Sequence, residues 1–423
     1  MDYQNKFIYA NETPSDQSCS PIIEKVNKIK SKDNFSNVRS DYILRIFFNC
    51  ITKYKTLQIV RFNKNIQKRL DISINDYKEY SQIHSSIEVE IKFDDDKYGE
   101  FINIKNEERK YFQIYFTYYN NSKEEINRNI LKMNEKVKMI NVIINEKIIS
   151  FINLFKDCKN ISSIKFKKFT RNNIRDMSFM FHKCESLKEL NLDSFNTSNV
   201  TDMLYMFSGC SKIKELNLSK FDTRNVTRMN SMFSGCSSLN KLDFSSFNTN
   251  KVTKMEWMFY GCSSLKELNI SSFNTNNVID MSNMFDGCKS LENLNLSNFN
   301  TSNVVDMSDM FSRCSKLKLL DLSNFDTNKV EKMTRMFASC SSLKELNLSN
   351  FISECCTNTN FMFEGCSSLN KLNFSKFNVN TVKEKKDMFI RCSVELKNRI
   401  KEENKYFKDY DIKLKRKSDC III

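Results

Sequence analysis

Residues 184–210 read CESLKELNLDSFNTSNVTDMLYMFSGC, and this stretch decides the fold. In its first half, Leu187, Leu190 and Leu192 have the spacing of a short strand whose alternate side chains point inward. In its second half, apolar residues follow one another at steps of three and four positions, which is the spacing of one helix face. Thr197, between the halves, is placed to cap such a helix. The stretch therefore predicts one strand followed by one short helix.

The same pattern recurs along more than half of the chain. Five of the six glycines directly precede a repeated cysteine, where a helix exit would need a left-handed backbone. One strand and one short helix cannot bury their apolar faces alone, so neighbouring copies must stack. We therefore predict an α/β solenoid over residues 136–396, with a parallel sheet on one face and short helices on the other. The repeated cysteines differ in number by 26 at every step: Cys158, Cys184, Cys210, Cys236, Cys262, Cys288, Cys314, Cys340, Cys366 and Cys392.

The repeated pattern, C-x2-L-x2-L-x-L-x2-F-x-T-x2-V-x2-M-x2-M-F, resembles that of the BspA-like leucine-rich-repeat surface proteins, whose repeats have the same length. The resemblance covers the predicted array, which is well over half of the chain. It implies a right-handed, leucine-rich-repeat-like array, an association with cell surfaces and adhesion, and protein binding. It implies no active site.

The net charge of +15 is unevenly distributed. Lys and Arg exceed Asp and Glu by 10 in residues 1–184, fall short by 2 in 185–366, and exceed them by 4 in 367–392 and by 3 in 393–423. A repeat array that binds nucleic acid would carry a continuous basic stripe. The regular coils are nearly neutral, so we do not expect a nucleic-acid partner.

Catalytic and metal-binding patterns are also missing from the sequence. There are two histidines, in unrelated contexts, and no glycine-rich phosphate loop, nucleophile elbow or HExxH motif. The cysteine spacing gives one thiol per coil, whereas zinc sites need close pairs. We therefore expect no enzyme activity, no metal, no cofactor and no small-molecule substrate, and we interpret the cysteines as small buried core residues.

Two groups of residues are candidates for binding a protein partner. One is a polar column on the predicted strands, where leucine-rich repeats usually bind; the alternative is that this column only supports the stack. The other is an aromatic patch on the predicted helical side, because aromatic anchors dominate many interfaces. The first group contains Asn217, Asp243, Asn269 and Asn295, and the second contains Trp257, Tyr260 and Tyr205.

The C-terminal residues carry a separate signal. Cys420-Ile421-Ile422-Ile423 resembles a prenylation box, in which the thiol receives an isoprenoid lipid. One lipid chain anchors only marginally, and a basic cluster is the usual second signal. No basic start followed by an apolar run opens the chain, so we expect the cytosolic face of a membrane, with the cell surface as the alternative. The basic cluster consists of Lys413, Lys415, Arg416 and Lys417.

The flanks of the array complete the predicted organisation. Residues 1–36 are polar, residues 37–135 form an α+β module with a helical hairpin and a small sheet, and residues 397–423 form a basic tail. Within the module, residues 122–136 are predicted to be helical, because Ser122 and Glu125 have capping-box spacing. The hairpin faintly resembles an F-box, which would make the chain a ubiquitin-ligase adaptor. The leading prediction is a prenylated scaffold that binds a protein.

Overall fold

The computed structural model describes residues 39–49, 53–94, 97–407 and 410. The chain opens with four helices, α1 (Asp41–Asn49), α2 (Lys53–Val60), α3 (Lys64–Arg69) and α4 (Ile74–His84). Ser73 caps α4 in a reciprocal capping box with Asp76. A small core of Leu44, Phe48, Val60 and Ile66 holds the first three helices together.

A mixed sheet joins this helical region to the repeats. Its strands are β1 (Ile87–Phe93), β3 (Phe112–Tyr118), β4 (Lys123–Glu125), β6 (Val137–Ile144), β7 (Ile161–Lys168) and β8 (Glu189–Asn191), in the order β4-β3-β6-β1-β7-β8. A separate pair contains β2 (Gly99–Glu100) and β5 (Ile130–Leu131). The predicted helix over residues 122–136 is therefore wrong, because β4 and β5 occupy it.

The strand β7 connects the two kinds of pairing. It runs antiparallel to β1 and parallel to β8, the strand of the next coil. β6 begins at Val137, inside the predicted array, yet pairs with β1 and β3. The sheet is thus continuous across the predicted division at residue 135, and the N-terminal region forms one end of the stack.

Several neighbouring coils pair through their strand halves, and this pairing is parallel, as predicted, in short pieces. β9 (Glu215–Leu216) pairs with β10 (Lys241–Leu242), and β11 (Glu345–Asn347) pairs with β12 (Lys371–Asn373). Inward residues such as Leu216 and Leu218 are buried, and Asn217 between them is exposed. The chain has a repeat fold in which the equivalent residues of successive coils lie on one another.

The second half of each coil is not a helix. Among the described residues from 161 to 392, no α-helix occurs, so the prediction of short helices on the second face is wrong. In one representative coil, the N–H groups of Met255, Trp257, Phe259 and Gly261 donate to carbonyls of the next coil, at 2.7–3.1 Å. The intervening N–H groups of Met258, Tyr260 and Cys262 close turns within the coil, at 3.1–3.3 Å. We call this half of the coil the turn ladder.

Backbone dihedrals explain why the turn ladder cannot be helical. Trp257 and Gly261 have φ of +61° and +68°, in the left-handed region. A positive φ at the third position of a turn is typical of type II turns and interrupts a right-handed helix. All the remaining coils have a positive φ at the same two positions. Most of these positions are occupied by residues other than glycine. Turns of this kind bury Val, Met, Phe and Cys at the same three- and four-residue steps as a helix.

A buried threonine column links the coils at the next corner. The Thr275 hydroxyl donates to the Asn300 carbonyl at 2.8 Å and accepts from the Asn300 N–H at 2.7 Å. Thr197 makes the same two bonds to Asp222, so it bridges two coils instead of capping a helix. Because it both donates and accepts, the hydroxyl does what a backbone N–H and carbonyl would do in bonding one coil to the next. The same donor bond recurs at Thr223, Thr249, Thr301, Thr327 and, with serine, at Ser353.

Phenylalanine and cysteine form two further columns in the core. The rings from Phe155 to Phe389 stack nearly parallel, with centroids 5.2–5.7 Å apart. The Cys262 thiol donates to the Phe233 carbonyl at 3.2 Å, which also accepts the Cys236 N–H at 3.1 Å. Burial raises the pKa of the Cys262 and Cys288 thiols well above the usual value, and the pKa of Cys392 to about 12.

Both ends of the stack are covered by other parts of the chain. At the first coil, the Asn103 N–H and amide bond to the carbonyls of Leu154, Asn153 and Lys156 at 2.6–2.9 Å. At the last coil, helix α5 (Val394–Glu403) packs Leu396 and Ile400 into the core. The Phe407 ring follows, 5.9 Å from the ring of Phe389. Helix α5 runs across residue 396, where the basic tail was predicted to begin.

Replacing Thr275 by valine tests the threonine column. Valine keeps the shape of the side chain but leaves the N–H and carbonyl of Asn300 without their partner, so we expect the free energy of unfolding to fall by roughly 2–4 kcal/mol. Thr275→Ser keeps the hydroxyl and should cost about 1 kcal/mol. Urea unfolding followed by circular dichroism measures both variants. Equal losses for valine and serine would show that the hydroxyl does not bridge the coils.

Thiol titration tests the burial of the cysteine column. In a variant with Cys19, Cys50 and Cys420 changed to serine, the exposed Cys355 should react rapidly with a thiol reagent in the native state. The column cysteines and Cys356, whose pKa burial raises to about 12, should react only after unfolding. Rapid reaction of several thiols in the folded protein would contradict the stacked core.

Candidate functional site

The polar column on the strands lies at the surface, and its side chains are engaged by their own backbone. The side-chain oxygens of Asn217, Asp243, Asn269 and Asn295 each accept the N–H of the serine two residues later, at 2.9–3.2 Å. Bonds from Ser245 also lower the pKa of Asp243. These are Asx turns, which end each strand. The column therefore has a structural role in turning the chain.

The predicted aromatic patch lies on the turn ladder and divides into two clusters. Trp257 is 37% exposed, and its ring centroid is 4.7 Å from that of Tyr260. Tyr205 lies two coils earlier and stacks on Phe179 at 5.0 Å, with His182 against both rings. The structure thus brings Trp257 and Tyr260 together and places Tyr205 in a different cluster.

The Trp257–Tyr260 pair continues into residues that sequence reasoning did not select. The Arg313 guanidinium lies over the Tyr260 ring at 5.6 Å and donates two hydrogen bonds to the Asp286 carboxylate, at 2.6 and 2.8 Å. Two coils beyond Arg313, the Phe361 ring lies 5.0 Å beneath the Arg335 guanidinium. We call Trp257, Tyr260, Arg313, Arg335 and Phe361 the aromatic–arginine patch.

Arg313 is unusual for its position in the repeat, because five other coils have glycine there. In the structure its φ is +60°. An arginine in a left-handed backbone position is disfavoured locally and needs a compensating interaction. The carboxylate of Asp286, which is almost fully buried, supplies it and raises the pKa of Arg313. The guanidinium is consequently fixed in place and half exposed.

The carboxyl of Asp309 lies between the two arginines. Burial, together with the neighbouring Asp286 carboxylate, raises the pKa of Asp309 to about 6 despite the opposing effect of Arg335. At pH 7 this carboxyl is therefore mostly ionised, and it becomes protonated as the pH falls below about 6. The patch thus combines three aromatic side chains and two guanidinium groups held by local contacts, and it lies beside the weakly acidic carboxyl of Asp309.

Within the described ranges, no group of three or more His, Cys, Asp or Glu residues could hold a metal ion. From Cys184 to Cys392, each thiol of the cysteine column donates to a carbonyl of the preceding coil, in keeping with its interpretation as a core residue. None of the described helices reaches the length and apolarity that crossing a membrane requires. Cys420, Lys413, Lys415, Arg416 and Lys417 lie outside the described residues.

The family comparison bears on the repeats. One family model, described as "Mycoplasma protein of unknown function, DUF285", matches residues 149–268, 240–351 and 317–405. Its three overlapping matches cover the coils from the first to the last, and they agree with the resemblance to BspA-like repeats. No match was found among the curated proteins or among the solved structures. The chain belongs to the DUF285 family of repeat proteins.

Proposed function

We propose that this protein is a non-enzymatic scaffold that binds a protein partner through the aromatic–arginine patch. In this proposal the coils wind as a right-handed, leucine-rich-repeat-like solenoid, and the turn ladder carries the binding surface. The observation that carries the proposal is the half-exposed Arg313, fixed between Tyr260 and Asp286. Trp, Tyr and Arg are the residue types that most often dominate protein interfaces.

The rigidity of the patch supports this proposal. Trp257 and Arg313 project from backbone positions that are hydrogen-bonded to the neighbouring coil, at 2.9 and 2.6 Å. Side chains that are already ordered lose little conformational entropy when a partner binds. The patch extends over five coils, which corresponds to roughly 20 Å at ~4.8 Å per coil. That length suits a partner surface of ordinary interface size.

Capture of proteins from an extract of the source organism tests the proposal. The wild type is compared with Trp257→Ala/Arg335→Ala and with the control Asn269→Ala/Asn295→Ala. Trp257 is the only tryptophan in the chain, so its fluorescence provides a second measurement. The patch variant should bind its partner at least about 30-fold more weakly, a loss of about 2 kcal/mol. The purified partner should also shift the tryptophan emission of the wild type.

The control variant distinguishes the two candidate surfaces. It removes exposed polar side chains from the strands and should retain the partner. If the control lost the partner while the patch variant kept it, the strand column would be the binding surface and the proposal would be wrong.

The second part of the proposal concerns location. Cys420-Ile421-Ile422-Ile423 and the basic cluster before it support a C-terminal prenyl anchor at the cytosolic face of a membrane. The resemblance to surface repeat proteins favours the cell surface instead. The ubiquitin-ligase adaptor stays a prediction, which a pull-down with residues 36–80 tests.

Cell fractionation of Cys420→Ser distinguishes the two locations. We expect the wild type in the membrane fraction, with an isoprenoid on its C-terminal peptide by mass spectrometry, and the variant in the supernatant. An unmodified C-terminal peptide, together with labelling of intact cells by an impermeant reagent, would favour the cell surface.

A further inference from the structure

The last coil departs from the repeat in charge. Lysine occupies three nearby positions in this coil, Lys383, Lys385 and Lys386. In earlier coils the position of Lys383 mostly holds threonine or an aliphatic residue. The position of Lys385 mostly holds methionine, and that of Lys386 mostly holds a small polar residue. Residues 367–392 consequently carry a net charge of +4, whereas all the residues from 185 to 366 together carry −2. Residues 159–184, at the opposite end of the array, carry +6, so positive charge lies at both ends of the array and the coils between them are nearly neutral.

Some of the charged groups in this coil are hydrogen-bonded to their neighbours, and two lysine ammonium groups remain exposed. The Lys385 ammonium donates to the carbonyls of Val379 and Val382, at 3.1 and 3.0 Å. The Glu384 carboxylate accepts the side-chain amides of Asn358 and Asn360, at 2.6 and 3.0 Å. Lys383 and Lys386 are exposed, and no described carboxylate lies within ion-pair distance of either ammonium.

The two free lysines border a depression at the C-terminal end of the stack. Its volume is about 420 Å³, and Asn360, residues 383–387 and Tyr410 line it. The Tyr410 hydroxyl donates to the Lys385 carbonyl, so the chain leaves the described structure beside this depression. The basic residues Lys413, Lys415, Arg416 and Lys417 follow shortly after Tyr410 in the sequence.

We infer that this end of the array is a docking surface for an anionic phospholipid bilayer. The inference adds an electrostatic contact by folded residues to the membrane placement proposed above, on which it rests. Lysine ammonium groups interact with phosphate and carboxylate headgroups as compact point charges, and the depression admits a headgroup between them. With the C-terminal end on the bilayer, the stack stands upright and the turn ladder remains accessible along its side.

Charge distribution favours a lipid surface over a nucleic acid. A nucleic acid would follow a basic stripe along several coils, but the coils from residue 185 to residue 366 are nearly neutral. A planar bilayer instead contacts one end of an elongated molecule. Its surface potential acts within about 8–10 Å, which corresponds to the last coil or two.

Vesicle binding by the full-length Cys420→Ser protein tests the inference without a lipid anchor. The vesicles contain phosphatidylcholine alone or with about 30% phosphatidylserine. The protein should bind only the anionic vesicles, and raising the salt concentration should weaken binding. Adding Lys383→Thr and Lys386→Ser, which restores residues found in earlier coils, should weaken binding by about 25-fold, or fivefold for each lysine.

A matched control removes the same charge elsewhere. Lys214→Asn and Lys241→Asn alter exposed lysines beside β9 and on β10, and this variant should bind nearly as well as its parent. Equal weakening by both pairs would indicate nonspecific attraction and overturn the inference. So would an absence of binding to anionic vesicles, or tighter binding to duplex DNA that depends on the same two lysines.

Circular dichroism is the control for folding, and both double variants should give the spectrum of their parent. The outcome is also separable from the location proposal, because prenylation of Cys420 in cells is detected by mass spectrometry whether or not the last coil binds lipid.

Discussion

Hydrogen bonds between alternate backbone N–H groups and the next coil are the interaction on which the rest of the structure depends. In the turn ladder, Trp257, Phe259 and Gly261 donate outward to the following coil, and the residues between them donate within their own turns. A single coil could satisfy only the second set, and the first would be left without partners. Each coil therefore requires its neighbour, which is why the spacing of the repeated cysteines tolerates no insertion.

The composition of the repeat follows from this requirement. A coil with short strands and no helix has several sharp corners, and polar side chains complete the hydrogen bonding there. Asn and Asp close Asx turns at three corners, as at Asn269, Asn274 and Asp280. Thr275 then bonds the peptide group of the next coil. The regular polar columns thus support the stack, and both proposed binding surfaces lie at positions where the columns change, such as Trp257, Arg313 and Lys386.

The sequence predicted the period, the buried residues and the strand half of each coil, because all three follow from spacing alone. It could not distinguish the turn ladder from a helix, since both bury Met255, Met258, Phe259 and Cys262. Within this segment, the positive φ at Trp257 distinguishes the turn ladder from a helix. The residue type at that position does not indicate a positive φ in the sequence. Trp257, Tyr260 and Tyr205 were predicted as one patch on one face, but only Trp257 and Tyr260 are in contact, and Tyr205 lies two coils away. The contacts of Arg313 and Arg335 depend on neighbours one or two coils away.

Deleting one whole coil tests the central claim most directly. Removal of residues 276–301 joins Thr275 to Ser302 and restores the register, so the shortened protein should unfold cooperatively and be shorter by ~4.8 Å in solution scattering. Removal of residues 276–288, about half a coil, places unlike residues in every column and should prevent cooperative folding. If both deletions were tolerated equally, the coils would not depend on in-register contact with their neighbours.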